Sequence, residues 1–100
     1  MAQKMVQITR SGSTVTFTPS TQPITSLDIL TWANNDEQQQ HWPAPNASQP
    51  TAWMPAAIPA KLPGQPAPTS RGLTFAPGTY NLSYVCALHP TEKGVIQVTS

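Results

Sequence analysis

Residues 84–98 read YVCALHPTEKGVIQV, and this stretch carries the features that decide the fold. Its first residues continue a run, 79–86, in which large apolar side chains alternate with smaller or polar ones, and residues 94–99 have the same strand character. Between the two runs lie the only cysteine, Cys86, and a histidine three residues later, His89. The pattern predicts two strands and a connecting loop that bears a thiol and an imidazole.

Other strand-like runs lie on both sides of a proline-rich middle. They cover residues 5–9, 14–18, 26–33 and 71–75. Turns are predicted at 10–13, 34–36 and 77–78, and residues 19–23 read as a polar connection. Because the runs are short, turns are frequent and helical periodicity is missing, the sequence predicts an all-β protein, a β-sandwich.

The middle of the chain, residues 43–68, holds eight of the 12 prolines. Prolines at this density break any long helix or central strand, so we expect a long loop packed over one end of the domain. Its apolar members Trp53, Met54 and Ile58 should pack against the protein.

Length and composition narrow the possible functions. A chain of 100 residues makes one domain, 1–100, with one modest core. Charged residues make up 9% of the chain, the net charge is +1 and no Lys/Arg cluster exists, so nucleic-acid binding has no support. The single cysteine excludes an internal disulfide, and no run approaches the roughly 20 apolar residues of a membrane-spanning helix.

The second histidine, His41, follows the strand-like run 26–33. One thiolate and two imidazoles are the equatorial donors of blue-copper electron-transfer centres, so Cys86, His89 and His41 form a candidate copper site. Three alternatives stand beside it. Cys86 could be a small buried apolar residue, His41 an exposed imidazole after the polar segment 36–40, or the metal a zinc ion with an open fourth position.

Two segments resemble the small cupredoxins of the plastocyanin and azurin type. One is LTWANND at residues 30–36 followed by His41, and the other is YVCALHP at 84–90 continued by KGVIQV at 93–98. The resemblance implies a Greek-key β-sandwich of about 7–8 strands. It also implies one copper ion, cycling between Cu(I) and Cu(II), with His41, Cys86 and His89 as equatorial ligands.

The chain departs from that family at the axial ligand. Where relatives carry a methionine, this sequence has Glu92, and no methionine follows Cys86. Glu92 could supply an axial oxygen, which should lower the reduction potential because a carboxylate favours Cu(II). The alternatives are an axial water, Met54, the carbonyl of Gln40, or a Glu92 side chain that is merely solvated beside Lys93.

The resemblance implies an electron carrier rather than an enzyme. The edge of His89 would be the electron port for a redox partner protein, with Leu88 and Pro90 as an apolar collar around it. We expect Trp32 to fill the core, Trp42 to shield the copper or to pack in the core or a loop, and Asn35 to link the ligand loops or to serve only its own turn.

Three further expectations concern the state and role of the protein. We expect a monomer without a membrane span, and a periplasmic or otherwise exported protein whose export signal is not in this chain. The rival functions are copper storage or delivery, and small-molecule binding at an open copper position. A purely structural β-domain is the remaining interpretation.

Overall fold

The computed structural model describes residues 3–45 and 57–99, which form a two-layer β-sandwich. The strands are β1 (Gln3–Ser11), β2 (Thr14–Thr18), β3 (Thr21–Thr25), β4 (Ile29–Asn34), β5 (Pro43–Pro45), β6 (Tyr80–Cys86) and β7 (His89–Thr99). One sheet has the order β2-β1-β4 and the other the order β3-β7-β6-β5. The predicted all-β Greek-key sandwich of about 7–8 strands is confirmed. Across the described ranges, no helix has the length and apolar character needed to cross a bilayer.

The first hairpin follows directly from its sequence. In β1 and β2, Val6, Ile8, Val15 and Phe17 are buried while the residues between them face outward or lie at the boundary. Gly12 begins the two-residue connection with a φ of 65°, a conformation that costs glycine little because it has no Cβ. The period-two pattern and this turn together set the register of the pair.

The core lies between the two sheets and is centred on Tyr84. The ring of Tyr84 meets Phe17 edge-on at a centroid distance of 5.0 Å and Trp32 at 5.2 Å. Such T-shaped contacts are favoured by the ring quadrupoles. Tyr84 is fully buried and Trp32 is 1% exposed, so the prediction that Trp32 fills the core is confirmed.

Two of the predicted elements are wrong. Residues 19–23 were expected to form a polar connection, but Thr21–Thr25 is β3, paired parallel to β7 with Gln22 and Ile24 buried. Pro23 is tolerated there because β3 is an edge strand. Residues 71–75 were expected to form a strand, but the structure has only a bridge between Leu73 and Leu30.

The proline-rich segment is also shorter as a loop than predicted. Pro43–Pro45 forms β5, the edge strand beside β6, although residue 43 was expected to begin the loop. Ile58 is 2% exposed, as expected for a packed apolar residue, and its backbone pairs with that of His41. Trp53 and Met54 lie outside the described residues.

Burial raises the pKa of Tyr84 to about 12, and the neighbouring Trp32 side chain offsets only part of that effect. An unfolded tyrosine titrates near pH 10. The raised pKa means that the fold keeps the neutral phenol, so this contribution to stability is complete below pH 10 and is lost as the pH rises toward 12. We expect the free energy of unfolding to fall by about 2–3 kcal/mol over that range.

Denaturant unfolding of the metal-free protein between pH 8 and pH 12 measures this loss. Tyr84→Phe should remove most of the dependence on pH. Tyr80→Phe is the matched control, because the Tyr80 hydroxyl is exposed and donates to the Ala76 carbonyl at 2.7 Å. Equal alkaline slopes for the two variants would contradict the assignment.

Gly94 lies opposite Tyr84 in the register of β6 and β7. A Cβ at position 94 would lie 2.5 Å from Cζ of Tyr84, whose ring cannot move freely between Phe17 and Trp32. We therefore expect Gly94→Ala to destabilise the fold by about 1–3 kcal/mol, as overpacking does elsewhere. Thermal melts test this, with Gln97→Ala, at an exposed position of the same strand, as control. Equal melting temperatures for the two variants would refute the close approach.

Candidate metal centre

A cluster of four potential metal ligands lies at one end of the sandwich. Cys86 is the last residue of β6 and His89 the first of β7, so a two-residue turn separates them. The pairing then shifts: Cys86 lies opposite His89, but Val85 lies opposite Lys93. Residues 90–92 therefore form a bulge in β7. A bulge redirects side chains locally, and this one brings Glu92 back to the Cys86 end.

The ligand atoms converge on one point. Sγ of Cys86 lies 3.8 Å from Nδ1 of His41 and 3.7 Å from Nδ1 of His89. Oε1 of Glu92 lies 3.1 Å from Nδ1 of His41 and 3.7 Å from Nδ1 of His89. The four residues each offer an atom within 4.8 Å of the others. The structure thus brings together all four residues that the sequence predicted as ligands.

The burial of the four residues is uneven. His41 and Cys86 are fully buried, the side chain of Glu92 is 11% exposed and that of His89 is 33% exposed. The alternative of an exposed His41 is therefore wrong, and so is the alternative of a freely solvated Glu92 beside Lys93. His89 alone offers a substantial edge to solvent within the cluster.

Backbone hydrogen bonds hold His41 next to β6. The N–H of Trp42 donates to Sγ of Cys86 at 3.4 Å, and the N–H of Ala87 donates to the carbonyl of Trp42 at 2.8 Å. His41 exchanges two backbone hydrogen bonds with Ile58, at 3.0 and 2.8 Å. His41 is thus held by Ile58 on one side. On the other side it is held by the pairing of β5, which begins two residues later, with β6.

Sequence reasoning missed Asp36 and Arg10. Asp36 is fully buried, and its Oδ2 lies 2.7 Å from Nε2 of His41. Arg10 donates to both carboxylate oxygens, at 2.8 and 2.9 Å, and the N–H of Gln38 donates to Oδ1 at 2.9 Å. Burial alone would raise the pKa of Asp36, but the hydrogen bonds from Arg10, His41 and Gln38 outweigh it and hold that pKa well below its usual range.

Asn34, rather than Asn35, links the loops. Its Nδ2 lies within 3.0–3.2 Å of the carbonyls of Gln39, Ile58 and Pro59, and its Oδ1 accepts the N–H of Asp36 at 2.9 Å. Asn35 instead donates to Oε1 of Gln7 and, through its backbone, to the carbonyl of Ile8. The prediction that Asn35 links the ligand loops is therefore wrong by one residue, because Asn34 makes these contacts.

The residues around the cluster divide by exposure. Trp42 is partly buried and packs against the core, which is one of the positions expected for it. Leu88 is 43% exposed beside His89, and the two line a shallow recess with Gln39 and Gln40. The side chain of Pro90, the other expected member of the apolar collar, is outside the described part of the chain.

The donor set fits a borderline or soft metal ion. Metal–sulfur and metal–imidazole bonds of about 2.3 and 2.0–2.1 Å, about 120° apart, place sulfur and nitrogen about 3.8 Å from each other. The separations of 3.7 and 3.8 Å match that value. Oε1 of Glu92 is buried and has no hydrogen-bond partner among the described residues. A cation at the centre would satisfy this oxygen and the two Nδ1 lone pairs together.

Comparison with solved structures identifies the architecture. A purple cupredoxin from Nitrosopumilus maritimus superposes with a TM-score of 0.70 over 95% of this chain and 98% of that chain, at 16% identity. The chain has the cupredoxin fold. The reduced Cu(I) form at pH 4 of an amicyanin mutant matches with a TM-score of 0.64 over 94% of this chain and 79% of that one, at 20% identity.

Another Cu(I) amicyanin variant matches the cupredoxin fold of this chain with a TM-score of 0.65 over 96% of this chain and 81% of that one, at 20% identity. No protein-family model matches the sequence, and no curated protein matches it. At identities of 16–20% these likenesses show the fold alone. The evidence for a metal centre is the geometry of the four side chains.

Cobalt(II) titration tests whether the cluster binds one metal ion. We expect one equivalent to bind with an intense thiolate-to-cobalt absorption, because the thiolate of Cys86 is a strong donor. Cys86→Ala should abolish that absorption, and His41→Ala should weaken binding strongly. Lys93→Ala, an exposed change beside Glu92, is the control and should bind as the unmodified protein does. Unchanged binding by both ligand variants would contradict a shared site.

Proposed function

We propose that the protein is a one-electron carrier that holds a single copper ion with His41, Cys86 and His89 and uses Glu92 as the axial donor. The observation that carries the proposal is the convergence of one sulfur, two Nδ1 atoms and one carboxylate oxygen within 4.8 Å. Thiolate with two imidazoles is the donor set typical of copper electron-transfer sites. When bound, the copper ion would supply the redox couple, Cu(II)/Cu(I).

The contacts around the ligands favour fast electron exchange. His41 is held by Asp36 at Nε2 and by Ile58 at its backbone, and Sγ of Cys86 accepts the N–H of Trp42. A ligand set fixed in this way keeps nearly the same geometry in both oxidation states. The protein therefore needs little rearrangement when an electron arrives or leaves.

His89 is the proposed electron port. It is the most exposed of the four ligands, at 33%, and the recess beside it is lined by Gln39, Gln40 and Leu88. None of these three neighbours carries a charge. Such a surface provides little electrostatic steering and suits brief docking of a redox partner protein more than tight association.

Glu92 as the axial donor would set the potential of the site. A carboxylate is harder and more negative than the thioether that occupies this position in the resembled family, so it stabilises Cu(II) more than Cu(I). The buried Oε1, 3.1 Å from Nδ1 of His41, supports this assignment over an axial water. Because the carboxylate of Glu92 lies within the cluster, the open-site alternative has less support. Met54, an alternative candidate for the axial donor, lies outside the described residues.

Several expectations about the whole protein stay predictions. These are its existence as a monomer, a periplasmic or exported location, and the absence of enzymatic activity. Copper storage or delivery also remains as a rival, with no specific contact in its favour. Sedimentation of the copper-loaded protein and fractionation of its native source would test the first two.

Spectroscopy and voltammetry of the copper protein test the proposed function. We expect intense thiolate-to-Cu(II) absorption, one copper per chain, and reversible reduction and reoxidation. Glu92→Gln should raise the reduction potential and change the Cu(II) EPR spectrum, because a neutral amide replaces an anionic donor. Glu37→Gln removes a charge from an exposed side chain and serves as control. A copper-loaded sample that cannot be cycled would overturn the carrier proposal, and equal spectra for Glu92→Gln and the control would overturn the axial assignment.

A further inference from the structure

The carboxylate of Asp36 makes a direct and fully buried contact with one proposed ligand. Its Oδ2 lies 2.7 Å from Nε2 of His41, and both side chains have no exposed surface. The opposite ring atom, Nδ1, faces Cys86 and Glu92. Asp36 and the proposed metal position therefore lie at the two ends of one imidazole ring.

We propose that Asp36 is a positioning residue that strengthens electron donation from Nδ1 of His41 to the metal ion. Arg10 limits this strengthening. This inference rests on the proposed metal site but does not require electron transfer. A carboxylate has no proton to give when ionised, so Nε2 must donate the hydrogen bond. That fixes the tautomer in which Nδ1 carries the free lone pair, and it fixes the plane of the ring.

Arg10 binds the same carboxylate from the side of β1. It lies on β1, and its Nε and one terminal nitrogen donate to the two oxygens of Asp36 at 2.8 and 2.9 Å. The pair is bidentate, and such pairs fix geometry as well as charge. Arg10 therefore holds Asp36 in place against His41. Its positive charge also weakens the electrostatic effect of the Asp36 carboxylate on the imidazole of His41.

The backbone supports the same arrangement. Asp36 and His41 are five residues apart in the loop between β4 and β5, and the side chain of Asn34 closes that loop by binding the N–H of Asp36 and the carbonyl of Gln39. The N–H of Gln38 adds a further hydrogen bond to the carboxylate. The loop is thus folded so that the carboxylate meets the ring of His41.

Replacing Asp36 and replacing Arg10 should change the reduction potential of the metal centre in opposite directions. Replacing Asp36 by Asn keeps the shape and an acceptor but removes the charge, so His41 becomes a weaker donor. Replacing Arg10 by Gln leaves the carboxylate without its cation, so His41 becomes a stronger donor. A stronger anionic donor set stabilises Cu(II) relative to Cu(I), because the extra positive charge of Cu(II) interacts more strongly with it.

Metal affinity is the first measurement. Cobalt(II) titration of Asp36→Asn should give an affinity about 10–100-fold below that of the unmodified protein, the range found for loss of such outer contacts. Glu37→Gln is the matched control. It removes one negative charge from the adjacent residue, but Glu37 is exposed and pairs only loosely with Lys61, at 3.4 Å. An affinity for Asp36→Asn equal to that of Glu37→Gln overturns the proposal.

The reduction potential of the copper protein is the second measurement. Asp36→Asn should raise it, by about 59 mV for each tenfold loss of Cu(II) affinity relative to Cu(I). Arg10→Gln should lower it by more than Lys61→Gln, because the ammonium of Lys61 pairs with Glu37 and not with the carboxylate of Asp36. Shifts of the same sign for Asp36→Asn and Arg10→Gln contradict the proposal, because a purely structural role would loosen the site in both.

The third measurement needs no variant and covers the case in which Asp36→Asn does not fold. In the unmodified protein loaded with diamagnetic zinc, NMR of the His41 ring should show a proton on Nε2 that is protected from exchange with solvent. A proton on Nδ1, or an Nε2 without one, overturns the proposal. If copper does not cycle but the cobalt and NMR results hold, the electron-carrier function fails while the role of Asp36 stands.

Discussion

The antiparallel pairing of β6 with β7 is the constraint on which both the core and the candidate site depend. Tyr84 and Leu82 from β6 and Ile96 and Val98 from β7 are buried in the same core. The same ladder ends in a two-residue turn that places Cys86 opposite His89. Apolar burial along these strands thus fixes the position of three of the four candidate ligands, because Glu92 belongs to the bulge in the same pair.

The fourth candidate ligand, His41, lies in a loop between the two sheets. His41 follows β4, which belongs to the three-stranded sheet, and precedes β5, which belongs to the four-stranded one. The connection therefore crosses from one layer to the other directly above the end of the core. Asn34, the buried last residue of β4, organises that crossing through its side-chain amide. A site that joins both layers can form only when the sandwich has closed.

The sequence predicted the parts of this arrangement that depend on local pattern. The alternation in residues 79–86 and the spacing of Cys86 and His89 give a strand, a turn and two donors without any tertiary information. The sequence around Asp36 gives no such signal, because a carboxylate in a polar segment is normally solvated. Its burial depends on the contact with Arg10 of β1, which forms only in the folded protein. β3 was missed because Pro23 argues against a strand, and edge position, which makes proline acceptable, is a property of the folded sheet. Residues 71–75 have strand composition but make only one bridge to β4.

The bulge in β7 has an implication for how this kind of protein can diversify. Residues 90–92 stand outside the regular ladder, which resumes at Lys93 opposite Val85. A side chain at position 92 can therefore be exchanged without disturbing the interstrand hydrogen bonds that hold the sheet. Exchange of this one side chain would change the donor set of the candidate centre while leaving the scaffold intact, which makes metal chemistry and foldability separable properties of the chain.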